Sequence, residues 1–193
     1  MRKLTRIAAP ECLQRKAVIW TAKYIDAKAK NPAYKFNWEK HGTCSDAIRQ
    51  NLNIMTQQHC AFCDGILRLT SPDTIEHFKP KKTFPELAYT WDNLFPCCYE
   101  CQRIKKERFD ESLLKPDDPD YFFNNYFIVN YSTGEIEPSP HSDTNDQNRA
   151  RTTLELYGLN TKDRMKARMQ QLEHFSKAEA PCIDDYNYRF FLE

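Results

Sequence analysis

The sequence predicts an α+β fold, mainly helical, with its chemistry concentrated in a central segment. Three observations lead there. Helical periodicity occupies both ends of the chain, two Cys-x-x-Cys pairs bracket the middle, and short β-prone stretches lie between them. The expected organisation is an N-terminal helical segment (residues 1–58), a stapled core (59–109) and a C-terminal hairpin and helical segment (110–193), packed as one unit.

The first helix is expected from Glu11 to about Ala29, where Leu13, Ala17, Trp20, Tyr24 and Ala27 form one apolar stripe. Pro10 suits a first-turn position, and Asn31-Pro32 ends the helix because the residue before proline avoids helical torsions. A second helix is expected from Ser45 to about Gln57, with Ser45 as N-cap and Ala47, Ile48, Leu52 and Met55 facing inward. After the core, the stretch Asp110 to Asp120 carries five acids and one lysine and reads as a solvated connector. The aromatic run beginning at Tyr121 reads as a β-hairpin with Ser132-Thr133-Gly134 at its turn. Asp146 to Tyr157 and Thr161 to about Lys177 read as two helices, with Gly158 as a left-handed C-cap between them.

Composition excludes several function classes. Among 193 residues only four are glycine, at positions 42, 65, 134 and 158, so neither GxGxxG nor GxxxxGK can be written in this chain. A nucleotide relevant to its function would have to be bound by a partner. Lys+Arg 28 against Asp+Glu 27 gives a net charge of +1, so any attraction to nucleic acid must come from local clustering. No apolar stretch approaches a membrane span, and the basic start MRKLTRIAAP lacks an apolar signal region, which predicts a soluble cytoplasmic protein with no membrane partner. In that compartment the eight cysteines are expected as metal ligands or core thiols rather than disulfides, with Cys97 a buried neighbour and Cys12, Cys44 and Cys182 unpaired.

Cys60-Ala-Phe-Cys63 and Cys98-Tyr-Glu-Cys101 are the strongest signal. Each pair can sit on a tight knuckle that aims two thiolates at one point, and two knuckles complete a tetrahedral four-sulfur zinc site. A thiol oxidoreductase would instead need one such pair opening a helix within a βαβ unit, which this sequence does not offer.

Between the knuckles lie Glu76-His77, then Lys79, Lys81 and Lys82, then Asn93. The second pair is followed at once by Gln102, Arg103, Lys105 and Lys106. This arrangement resembles the HNH (ββα-metal) nuclease family in its zinc-stapled form. The resemblance implies His77 as general base and Asn93 as the residue pinning the loop that bears it. It further implies Glu76 and Gln102 as ligands of a catalytic Mg2+ or Mn2+, the family having His or Asn where Gln102 stands. The other four histidines read as a knuckle neighbour (His59) and surface residues (His41, His141, His174). From Lys79 to Arg108 seven basic residues face four acidic ones, so Lys79, Lys81, Lys82, Arg103, Lys105 and Lys106 are the candidate nucleic-acid contacts. Beyond the motif, FNWEKHGTCSDAIRQNL, STGEIEPSP and RARTTLELYGLN are similar to the PtuB family, the HNH subunits of Septu and retron antiviral systems. That likeness implies a bacterial phage-defence setting and a PtuA-like ABC-type ATPase as partner; DNA is the expected substrate, with RNA, tRNA included, open because such a motif reads backbone rather than base. The rival from another class is a zinc-binding interaction module without turnover.

Overall fold

The structure, a computed structural model, describes residues 1–67 and 73–193. Its elements run α1 (Glu11–Lys30), α2 (Thr43–Met55), β1 (Asp73–His77), β2 (Leu94–Cys98), α3 (Tyr99–Lys105), α4 (Phe123–Tyr126), β3 (Phe127–Asn130), β4 (Glu135–Pro138), α5 (Thr144–Leu156) and α6 (Lys162–Lys177). Among the described residues β1 pairs antiparallel with β2 and β3 with β4. The class is α+β, and β1, β2 and α3 form the expected ββα unit.

α1 starts where Pro10 fixes the entry torsion and ends where Asn31 turns extended. Its predicted stripe faces inward, with Leu13 and Tyr24 buried, while Val18, Ile19 and Ile25 stay exposed on the opposite face. α2 begins two residues earlier than expected. Gly42, at φ +50°, turns the chain into the helix, so Ser45 lies inside the first turn, buried, with its N–H on the Gly42 carbonyl. Packing α1 beside α2 brings Cys12 and Cys44 to a Cα separation of 5.8 Å, where they form a disulfide. This overturns the expectation of free thiols at both positions; no local spacing links two cysteines that meet only because two helices pack together.

The C-terminal segment departs from expectation in two places. The aromatic run opens with the short helix α4, and only Phe127–Asn130 enters the hairpin, whose turn holds Gly134 at φ +77°. A Cβ on Gly134 would lie 2.3 Å from the Met165 carbonyl oxygen, so glycine permits the hairpin to sit against α6. The acidic stretch is tied down rather than solvated: Asp117 pairs with Arg6 at 2.9 Å, and Leu113 and Leu114 are buried. Arg6 also donates to the carbonyls of Trp91 and Leu94 and lays its guanidinium 4.3 Å from the Phe95 ring, which fixes the entry to β2.

The buried apolar cluster draws on all three segments, including Leu13, Ile48 and Leu52, then Phe62, Leu94 and Phe95, then Tyr157 and Phe191. Each such side chain contributes roughly 1.5–3 kcal/mol on leaving water. The ββα unit therefore rests on a core to which its own short elements contribute only a part.

Candidate functional site

The first knuckle is built by backbone bonds. Asp64 N donates to Cys60 O, Cys60 N to Gly65 O, and Ala61 N to Pro96 O on β2, with Asp64 in the left-handed region. Cys98 ends β2 and caps α3, its sulfur accepting from Cys101 N. The four sulfurs of Cys60, Cys63, Cys98 and Cys101 lie within 4.8 Å of one another, and Cys63 and Cys98 are 3.7 Å apart. A tetrahedron of Zn–S bonds of about 2.3 Å has S–S edges of roughly 3.8 Å, so the donor set and its spacing fit zinc. Arg164, buried, directs Nη2 to Cys101 Sγ at 3.1 Å and so places a positive charge beside the four sulfurs. No sequence pattern marks this arginine, since it arrives from α6.

The first knuckle is also clamped from the C-terminus. The Arg189 guanidinium binds both carboxylate oxygens of buried Asp64, its own N–H donates to Asp64 Oδ2, and Tyr188 N donates to Asp64 O. Both ring nitrogens of His59 meet carbonyls, Gln57 O at 2.6 Å and Tyr186 O at 3.0 Å.

At the end of β1, where Glu76 pairs with Phe95 and His77 with Leu94, the Glu76 side chain meets α3 and the His77 side chain meets the turn carrying Ala88. His77 is buried and its Nε2 lies 2.9 Å from the Ala88 carbonyl. A carbonyl only accepts, so Nε2 carries the proton and Nδ1 keeps the lone pair. Burial, with Lys81 and Lys105 adding repulsion, lowers the imidazole pKa from 6.5 to about 3, and the ring is neutral at neutral pH. Asn93 ties two turns together: Oδ1 accepts from Lys79 N at 2.7 Å, and Nδ2 donates to the carbonyls of Lys79 and Leu87. The same residue's carbonyl accepts from Phe78 N. The turn after His77 and the turn carrying Ala88 are thus held by one side chain.

Glu76 is 4% exposed and its Oε1 receives Lys105 Nζ at 2.7 Å, while Lys105, 0% exposed, also donates to His77 O. Burial raises the Glu76 pKa, and Lys105 and Gln102 hold it back. This corrects the expectation that Lys105 contacts nucleic acid. It lies four residues after Cys101 on the inward face of α3, a periodicity that the sequence already contained. Gln102 donates Nε2 to Ile75 O at 3.4 Å, so its amide would need the opposite orientation to ligate through oxygen.

Glu76, His77, Lys81, Gln102 and Lys106 line a pocket of 240 Å3. The Glu76 carboxylate and the Gln102 amide, with Glu107 also on the pocket wall and room for waters and a phosphate oxygen, are a donor set that Mg2+ accepts. Of the other candidate contacts, Lys79 pairs with Glu111 and lies over Phe84 and Phe109, Arg103 pairs with Glu100 outside the pocket, and Lys82 is exposed. His41 is not a bare surface residue: it is half-buried, 3.9 Å from the Trp20 ring and bonded to Tyr89 Oη.

These features define a ββα unit that resembles the HNH type, with an acid–histidine pair, a loop-pinning asparagine and a four-cysteine cluster compatible with zinc. No protein-family model matches the chain. Among curated proteins the likeness is to the Septu protein PtuB. Identity is 32% over 88 residues to that of Bacillus mycoides strain KBAB4, covering 39% of this chain and 29% of the relative. It is 37% over 59 residues to that of Bacillus thuringiensis, covering 30% and 23%. A retron Vc95 protein of Vibrio cholerae serotype O1 biovar El Tor, named as an HNH endonuclease, is 24% identical over 136 residues, covering 65% and 63%. The matched stretches thus span less than two thirds of each relative. No helix among the described residues is long and apolar enough to cross a membrane.

Proposed function

We propose that this protein is a metal-dependent HNH endonuclease hydrolysing phosphodiester bonds, of DNA first, in an anti-phage defence system beside a PtuA-like ATPase. The observation carrying this reading is the His77 ring, its Nε2–H committed to Ala88 O and its Nδ1 left as a base within a pocket that also holds Glu76, Gln102 and two lysines. A divalent ion held by Glu76 with Gln102 would supply positive charge at the scissile phosphate and the departing 3′ oxygen. His77 Nδ1 takes the proton of the attacking water. Its basicity, low in the dry free site, rises as an anionic phosphate settles beside it and offsets Lys81 and Lys105. Asn93 keeps the ring aimed, and Lys81 and Lys106 draw the phosphate in. Partner and pathway rest on the names of the relatives and on a sequence with no nucleotide loop of its own.

The second reading, a zinc-binding module without turnover, is favoured by one observation: the Glu76 carboxylate is already neutralised by Lys105. The test is cleavage of DNA and of RNA with and without Mg2+ and the ATPase, comparing the parent with His77→Ala at equal zinc content. Loss of cleavage in the variant supports hydrolysis by this site. Equal cutting by both refutes His77 as base, and no cutting by the parent under any condition favours the module.

A further inference from the structure

We propose that a second hollow, on the far side of Phe36 from the phosphate pocket, receives an unstacked nucleobase of the strand being cut. The proposal rests on the nuclease reading and names the substrate form: a single-stranded or locally unpaired region.

The hollow is 120 Å3 and lies between α1 and the segment after it, with Trp20, Tyr24, Tyr34, Phe36 and Tyr89 as its walls. Lys23, Asn37 and His41 complete the lining, and no aliphatic side chain takes part. Five rings left enclosing a space several times the ~30 Å3 of one water are unlike a core, which closes such gaps with Leu, Ile or Met. Aromatic faces with an amide beside them are what bind a base out of its stack, the rings by stacking and the amide at the base edge.

Its position fits the same chain of atoms. Phe36 is common to both sites: it meets the His77 ring edge-on at 5.3 Å and carries Lys81 Nζ, a wall of the phosphate pocket, 5.2 Å over its face. A nucleotide with its phosphate beside His77 thus has its base or its neighbour's within reach of the hollow. Charge selects the occupant. Against the Glu107 carboxylate that acts on Tyr24 stand Lys23 at the rim, Lys16 Nζ 5.8 Å over Trp20 and Lys81 over Phe36, a net positive surround that repels an ammonium ligand of the kind aromatic cages otherwise hold and attracts a polyanion.

The test is equilibrium binding of a labelled short single-stranded oligonucleotide to zinc-loaded protein carrying His77→Ala, which blocks cleavage. Trp20→Leu and Tyr34→Ala are each expected to weaken binding about tenfold, within the worth of one stacked base. An abasic residue beside the cleaved bond should weaken binding to the parent by a similar factor and add nothing in the variants. Duplex DNA, its bases already stacked, should bind parent and variants alike. Should Trp20→Leu unfold, Asn37→Ala, at an exposed position, carries the same comparison. Folded variants that bind the single strand as tightly as the parent, or an abasic strand that binds as well as the intact one, overturn the proposal while leaving the nuclease standing. A parent that neither binds nor cuts any nucleic acid overturns both.

Discussion

Replacing Lys105 by methionine isolates the interaction on which Glu76 depends. The methionine keeps most of the apolar stem and removes the ammonium that lies 2.7 Å from Glu76 Oε1. With the acid 4% and the lysine 0% exposed, water cannot take over the lost contact. Removing one member of a buried pair costs about 3–5 kcal/mol, whereas replacing both by apolar groups of similar shape is close to neutral. Lys105→Met should therefore lower stability by about 3–5 kcal/mol, and Glu76→Leu combined with Lys105→Met should recover most of that loss. The pH dependence has a definite sign. Burial holds the folded Glu76 pKa above its ordinary 4.5 and Lys105 opposes the rise, so without the lysine the carboxyl titrates higher still. The folded variant then favours the protonated acid, and its deficit is smallest toward pH 4.5 and grows as pH rises. Urea unfolding of zinc-loaded parent, single and double variants at pH 6 and pH 8 measures all three quantities. A single variant within about 1 kcal/mol of the parent at both pH values, or a double variant no better than the single, refutes the dry ion pair as the lock on this acid.

Three further outcomes follow from the same structure. His77 titrates at about 3 in the fold against 6.5 unfolded, so the unfolded chain binds the extra proton and stability falls as pH drops through that window; from pH 7 to pH 5.5 this group alone should cost ~1 kcal/mol, and urea unfolding of His77→Asn should lack that part of the slope. Cys98→Ser should abolish stoichiometric zinc, read by metal analysis, and lower the melting temperature, because the same sulfur also caps α3. Gly134→Ala should destabilise by several times the ~1 kcal/mol of an ordinary glycine exchange, since its Cβ meets the Met165 carbonyl at 2.3 Å; a thermal melt matching the parent would refute the close approach.

Elements governed by local rules were legible in the sequence. α1, α5 and α6 appear close to their expected bounds because periodicity, caps and the Pro10 and Gly158 punctuation act within a few residues. The meeting of four cysteine sulfurs followed from the spacing of the two Cys-x-x-Cys pairs, whereas the place of Asn93 in the His77 turn was what the HNH resemblance implied. Contacts set by packing between distant segments were not legible. Cys12 meets Cys44 through helix packing, Arg164 comes to the sulfurs from α6, and the Ala88 carbonyl that orients His77 is backbone and leaves no mark in the residue pattern. Lys105 is the intermediate case: its charge suggested the surface, while its offset from Cys101 already placed it inside.

The clamp of Arg189 on Asp64 bears on the order of assembly during synthesis. All four clustered cysteines have left the ribosome once residue 101 and the tunnel length have been made, yet the arginine that seals the first knuckle is 125 positions downstream of its acid. Arg189 is made 88 residues after Cys101, at about 5–20 residues per second an interval of roughly 4–18 s, during which a nascent chain can capture metal in a knuckle still lacking its seal. Pulse-labelled chains arrested before Tyr186 should accordingly yield zinc to a chelator far faster than the finished protein does.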